Sequence, residues 1–368
     1  MVKAANSWLR SVLRAGKQQQ RSATRALNSL LAAPKPKAKP RPRPKPKPKA
    51  VTPPVTKARQ ALAAPPAAAG KWLASHFSAH ADRGLGPVRR LSYWFYLPQR
   101  PPRRAGLPLL VMLHGCDQSA TQFAQGTRMN HWADKLGYAV LYPQQSTSAH
   151  PHRCWKWYDR ATQRGGGDVS VLAALVVKMM QTHPIDPARV YVCGMSAGAG
   201  MAHILALNHP ELFAAVGLHS GPVFGAGHSA VGAMGVMQRG ASHRVDPAIE
   251  EVLLKHPGFP TLPTILIHGA QDSTVRPVNQ AQLMRQSMLL NRLPHATPVH
   301  RSEHAGKLRM HPHQLHDVHH DGKLMLRIAQ ISELAHAWSG GDASLAYHAG
   351  PGPDASRMLL AFFSQHHR

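Results

Sequence analysis

Val190-Tyr191-Val192-Cys193-Gly194-Met195-Ser196-Ala197-Gly198, followed by the helix-like run Ala199 to Asn208, is the stretch that decides the fold. Four consecutive apolar residues rich in β-branched and aromatic side chains read as a buried strand, and the small residues after them read as a sharp turn into a helix. In that setting Gly194-x-Ser196-x-Gly198 is a nucleophile elbow. The serine sits in a strained strand-to-helix turn, and side chains larger than glycine two positions either side would collide with the neighbouring strand and helix. A plain glycine-rich turn is the competing reading of the pentapeptide alone.

A serine hydroxyl attacks poorly unless a histidine removes its proton, and the histidine must be oriented by a carboxylate. The run Thr264-Ile-Leu-Ile-His-Gly-Ala-Gln-Asp272 is an apolar strand that ends in a loop carrying Asp272, the candidate acid. Asp246, Glu250 and Glu251 lie in a polar helical stretch and fit less well. The 26 histidines of the chain do not select themselves by composition. Position selects His336, a few residues beyond the last apolar strand, Leu324 to Ile331, with His348, His304, His319 and His320 as rivals. An oxyanion needs two amides already aimed at it. Ala197, after the nucleophile, offers one; Leu113-His114-Gly115-Cys116 ends an early strand and offers the Cys116 amide as the second.

Further out, Arg90 to Leu97 reads as a half-exposed strand, with Leu107 to Leu113, Tyr138 to Tyr142, Arg189 to Cys193, Ala214 to Leu218 and Thr264 to Ile267 as apolar strands. Thr121 to Leu136 has helical composition, and Asp168, after the Gly165 to Gly167 turn, is expected to cap a helix to about Gln181 through its carboxylate. This alternation implies an α/β fold, a mostly parallel sheet with helices on both faces.

The chain has 368 residues, a formal net charge of +27 and 43% hydrophobic residues. Its first 80 residues hold 17 Lys/Arg and no acid, leaving 44 − 17 = 27 basic residues against 17 acidic ones in 81–368. Such segregation predicts a basic appendage, residues 1–80, on a catalytic domain, 81–368, with the boundary near Asp82. The appendage reads as a basic amphipathic helix within Asn6 to Leu31, a Lys-Pro linker from Pro34 to Pro54, and a short helix around Lys71 to Phe77. Three cysteines exclude a disulfide-built scaffold. No run approaches a membrane span, and Arg10, Arg14 and Lys17 interrupt the N-terminal apolar residues, so the sequence reads as lacking a secretory signal and as cytoplasmic.

Several segments carry a resemblance to a known family. They are Leu-His-Gly-Cys116-Asp-Gln, Tyr-Pro-Gln at 142–144, Cys154-Trp-Lys-Trp157, Gly165-Gly-Gly-Asp168, the Ser196 elbow, His219-Ser-Gly-Pro222, His268-Gly-Ala-Gln-Asp272, Thr274-Val-Arg-Pro277 and His336-Ala-Trp-Ser-Gly-Gly341. Over residues 90–366 the chain resembles the polyhydroxybutyrate depolymerase-like esterases of the α/β-hydrolase superfamily. The resemblance implies an α/β-hydrolase fold, the triad Ser196, Asp272 and His336, and a serine esterase that needs no metal or organic cofactor. It implies as substrate an ester such as a short-chain hydroxyalkanoate polymer or oligomer, with feruloyl or acetyl-xylan esters as the alternative. Trp155, Trp157 and Trp338 are then candidates for an apolar cleft wall that contacts substrate, with core packing as the bland reading. Cys116 and Cys154 could pair if the domain were exported, and would stay thiols in a reducing cytosol.

Two features depart from the family. Eight histidines lie between His295 and His320, a segment that looks like an inserted, exposed loop whose spacing matches no defined metal site. The basic tail could attach the enzyme to a polyanion, a granule or a membrane surface. A polyanion- or granule-binding protein built on an inactive hydrolase scaffold is the rival reading of the whole chain.

Overall fold

The computed structural model describes residues 68–80, 88–100, 106–294 and 296–368. The expected amphipathic helix and Lys-Pro linker lie outside the described residues. A ten-stranded sheet forms the centre, in the order β1-β2-β4-β3-β5-β6-β7-β10-β9-β8. Its strands are β1 (Lys71–His80), β2 (Val88–Leu97), β3 (Leu107–Leu113), β4 (Ala139–Gln144), β5 (Ile185–Met195), β6 (Ala215–His219), β7 (Thr264–Gly269), β8 (Val299–His304), β9 (His313–His320) and β10 (Lys323–Ile331). The strands from β4 to β10 in that order run parallel, and antiparallel pairs extend both edges.

The parallel strands are apolar on both sides because both sides are covered. In β3, Leu109, Val111 and Leu113 pack into one core while Leu110 and Met112 pack into the other. In β5 Val190 and Val192 join the first core, and Tyr191 and Cys193 the second. Helices α4 (Asp168–Thr182), α5 (Ala197–Asn208), α7 (Val245–Lys255) and α8 (Val278–Leu290) supply the first core, and α1 (Ala120–Thr127), α2 (Met129–Leu136) and α9 (Ala355–Phe363) the second. Two smaller helices, α3 (Arg160–Gln163) and α6 (Ala230–Arg239), lie in the connections that follow β4 and β6. Among the described residues, no helix is long and apolar enough to cross a membrane.

Three expectations are corrected and one is refined. Lys71–His80 is a strand, not a short helix of the appendage, so the sheet begins before Asp82: its ten residues pair antiparallel with β2, and Trp72 packs edge-on to Tyr142 at 5.5 Å. The helical composition of Thr121 to Leu136 is borne out as two helices, which part at Arg128 with φ 53°. The break follows from carbonyls drawn out of the helix, since Gly126 O accepts from Asp342 N and Thr127 O from the Ser356 hydroxyl. Asp168 is the first residue of α4 rather than its cap, because its two oxygens accept from Arg89 and Gln145, at 2.6 Å each. The histidine-rich segment is not an irregular loop. It supplies β8 and β9, where Val299 stands opposite Val318 and Arg327 of β10 clamps Asp317.

Candidate active site

The residues singled out from sequence gather where the parallel strands end. Ser196 follows β5 at φ 56° and ψ −122°, a conformation strained for any residue with a side chain. The elbow glycines are there because backbone presses on them. A Cβ on Gly198 would lie 2.0 Å from Leu113 O, and one on Gly194 would lie 2.4 Å from the Gly198 carbonyl carbon.

Asp272 lies three residues beyond β7 and His336 five beyond β10. The two loops are stitched together by Ala270 N to Ile331 O at 2.8 Å and Gln271 N to Leu334 O at 3.0 Å. His336 Nδ1 donates to Asp272 Oδ2 at 2.7 Å. The other carboxylate oxygen accepts the amides of Thr274 and Val275, both at 2.9 Å. Burial pushes the Asp272 carboxyl up, yet the His336 hydrogen bond and the nearby imidazoles outweigh it, and the net shift is downward. The acid is sealed from solvent, whereas the His336 side chain keeps 12% of its surface exposed. Among the described residues the Ser196 hydroxyl makes no hydrogen bond, so the structure closes the Asp272–His336 pair but not a Ser196–His336 one.

Sequence reasoning missed what ties these loops together. The carbonyl of His219 accepts from Ser196 N at 3.0 Å, and its Nε2 accepts from Ser339 N at 3.3 Å. The same ring stacks on Trp338 at 4.9 Å and 18°. His219 thus connects the elbow to the segment that carries His336. Its place one step beyond the apolar run Ala214 to Leu218, where a strand meets this rim, was the available signal. His268 is a second such residue: its Nε2 donates to Val275 O at 2.7 Å and stands 3.5 Å from Asp272 Oδ2.

The loop after β3 is equally constrained. A Cβ on Gly115 would lie 3.5 Å from Ser196 Cβ, so this glycine sits against the elbow. His114 Nδ1 donates to Gly115 O at 2.7 Å, its Nε2 accepts from Gln145 N at 3.1 Å, and Gly115 N donates to Gln118 at 2.8 Å. Burial holds the His114 imidazole down at about 4, neutral as both bonds require. The Cys116 and Ala197 amides are not used by these bonds. Cys116 is disulfide-bonded to Cys154, across a separation of 38 residues. Breaking the bridge as Cys116→Ser/Cys154→Ser is expected to remove about 4 kcal/mol of stability by freeing that loop in the unfolded chain. Urea unfolding checks it, and an unchanged midpoint would contradict it.

The three tryptophans are corrected from cleft wall to packing. Trp155 and Trp338 are fully buried and Trp157 is 5% exposed. Trp155 Nε1 donates to His114 O at 3.1 Å and Trp338 Nε1 to the Ser356 hydroxyl at 3.2 Å, while a Cβ on Gly200 would meet Trp157 at 2.9 Å. They hold the site loops from beneath. Among the rival residues, Asp246 pairs with Arg285 and Glu251 with Arg244, and His304 stacks on His313 in the added strands. No three His, Cys, Asp or Glu among the described residues gather to hold a metal ion.

Known proteins share sequence and fold with this chain. Poly(3-hydroxyalkanoate) depolymerase C of Paucimonas lemoignei is 31% identical over 201 residues, 53% of this chain and 47% of that protein. Feruloyl esterase B of Thermothelomyces thermophilus is 31% identical over 159 residues, 43% of this chain and 53% of that one. Probable acetylxylan esterase A of Neosartorya fischeri is 28% identical over 212 residues, 55% and 56% of the two chains. The chain spans about half the length of these curated relatives. Among solved structures, the acetyl xylan esterase from Aspergillus awamori superposes with a TM-score of 0.61 at 19% identity, covering 79% of this chain and 99% of that one, and shares its α/β-hydrolase fold. The family model described as Esterase PHB depolymerase matches residues 91–311, a span that contains Ser196 and Asp272 and stops short of His336. Its match to more than half of the sequence, joined to the elbow and the acid loop, makes this chain a member of the PHB depolymerase esterase family.

Proposed function

We propose that the chain is a serine esterase that hydrolyses carboxylic esters through an acyl-enzyme on Ser196. The observation that carries this reading is the 2.7 Å hydrogen bond from His336 Nδ1 to buried Asp272, on the same rim as a serine held at φ 56°. Donation from Nδ1 leaves Nε2 as the acceptor for the Ser196 proton. In unliganded enzymes that second bond often tightens only with substrate. His336 takes the proton as Ser196 attacks the carbonyl carbon, and the Cys116 and Ala197 amides hold the oxyanion. The imidazolium, stabilised by Asp272, then protonates the departing alcohol. Water deprotonated by the same imidazole releases the acid and restores the serine. Besides the water consumed in the second half, every step uses side chains and amides of this chain.

The substrate class follows from the relatives. The depolymerases among them support an ester polymer or oligomer of short-chain hydroxyalkanoate, and the feruloyl and acetylxylan esterases support aryl or acetyl sugar esters as the second reading. A panel of polyhydroxybutyrate, its soluble oligomers, feruloylated sugars and p-nitrophenyl esters decides between them. Turnover of the polymer and its oligomers is expected; activity confined to the sugar esters would overturn the substrate while leaving the chemistry. The Cys116–Cys154 bond supports a working place more oxidising than the cytosol. The basic tail, with 16 Lys/Arg and no acid in residues 1–70, supports attachment to an anionic surface, for which salt-dependent retention on DNA or on coated polyester granules is the test.

A further inference from the structure

A cavity of about 540 Å³ opens between α3, the carboxyl end of α5, loop 224–228 and α7. That volume suits a small organic molecule rather than a bare ion. Its inner wall includes Leu207 and Phe224, and its mouth is cationic, with Arg160, Arg164, Arg244 and Lys255. Glu251 is the one acid lining it among the described residues, and Arg244 occupies that carboxylate at 2.9 Å. Arg160 and Arg164 have no carboxylate partner among the described residues.

These charges converge on one space. The His228 imidazole is held below its ordinary pKa by burial and then by Arg160, Arg244 and Arg164. The Glu251 carboxyl is held down first by its hydrogen bond from Arg244, with Arg164 and His228 adding to it against burial. Two segments, α3 with Arg164 after it and the two ends of α7, therefore set four cationic side chains around one carboxylate, a surplus of positive charge that an anion in the cavity would offset. Arg160 and Arg164 stand one helical turn apart on the same side, so two guanidinium forks face the opening together.

We propose that this cavity binds a small organic molecule carrying at least two oxyanion groups, phosphate or carboxylate, at a site separate from the ester-cleaving one. It lies toward the far end of α5 from Ser196, roughly 16 Å along that helix, and shares no residue with the triad or the loop after β3. The proposal does not depend on the esterase reading.

Calorimetry on the full chain at about 0.15 M salt, where long-range attraction to the tail is screened, with citrate and fructose 1,6-bisphosphate as probes, tests it. One saturable site for at least one probe is expected, and the preferred probe names the oxyanion. Arg160→Gln/Arg164→Gln should weaken that site at least tenfold at an unchanged melting temperature, since both side chains are exposed. The charge-matched control Lys45→Gln/Lys47→Gln in the tail should bind as the parent does. Absence of saturable binding to either probe, equal affinity in the arginine variant, or equal loss in the tail control would each overturn the site.

Discussion

Replacing Ser196 with alanine should lower kcat on a p-nitrophenyl short-chain ester by at least about 10⁴-fold, with the melting temperature unchanged within a few degrees. The size follows from the proposed role of the Ser196 oxygen as the atom that forms the covalent intermediate. Residual turnover would come from substrate binding and the oxyanion amides alone. The fold should survive because Ser196 is held by its backbone, through N to His219 O, and its hydroxyl supports no hydrogen bond among the described residues. Steady-state kinetics and thermal melting read the two effects separately. A variant retaining more than a tenth of parental activity would contradict the role given to this serine.

The second large effect is on pH stability. Burial holds the imidazoles of His114 and His203 at about 4 and that of His219 at about 3, against an ordinary value of 6.5. All three are buried, His114 and His219 within hydrogen bonds that require a neutral ring and His203 with an unpartnered Nδ1 beside Phe224. The unfolded chain binds protons at these positions below about pH 6.5, and the folded one does not until about pH 4 or lower. Their contribution is therefore complete above pH 6.5 and is lost as pH falls toward 4. Each is worth on the order of 3 kcal/mol or more, and together they rival the whole stability of an ordinary domain. The domain should lose near-ultraviolet circular dichroism cooperatively between pH 6 and 4, and His203→Phe should move that midpoint downward. Full native signal at pH 4, with the same melting temperature as at pH 7, would contradict it.

The parts of this fold that were legible in sequence are those where local composition and buried position coincide. The strands β3, β5, β6 and β7 are apolar on both faces, and the elbow needs glycine at two places for one steric reason. Asp272 and His336 could be proposed from sequence because strand ends are where a parallel sheet gathers its loops. What stayed hidden depends on contacts distant in sequence. Lys71–His80 shows little burial alternation, and only its pairing with β2 makes it a strand. The His-rich segment carries few apolar residues, so its edge pairing with β10 left no hydrophobic period to read. The break at Arg128 is set by Asp342 and Ser356, more than 200 residues later. Aromatic residues beside a motif suggested substrate contact, whereas Trp155, Trp157 and Trp338 brace the loops from inside. His219 was hidden because its work is done by a carbonyl and a ring face.

The central claim is that His336, steadied by Asp272, makes the Ser196 oxygen reactive. Its most direct test is the rate of fluorophosphonate labelling, with the modified residue mapped by peptide mass spectrometry in the parent chain and in His336→Ala. The account predicts a single adduct on Ser196 in the parent and a rate at least about 100-fold slower in the variant. A folded parent chain that does not label at Ser196, or a variant that labels as fast as the parent, would contradict it.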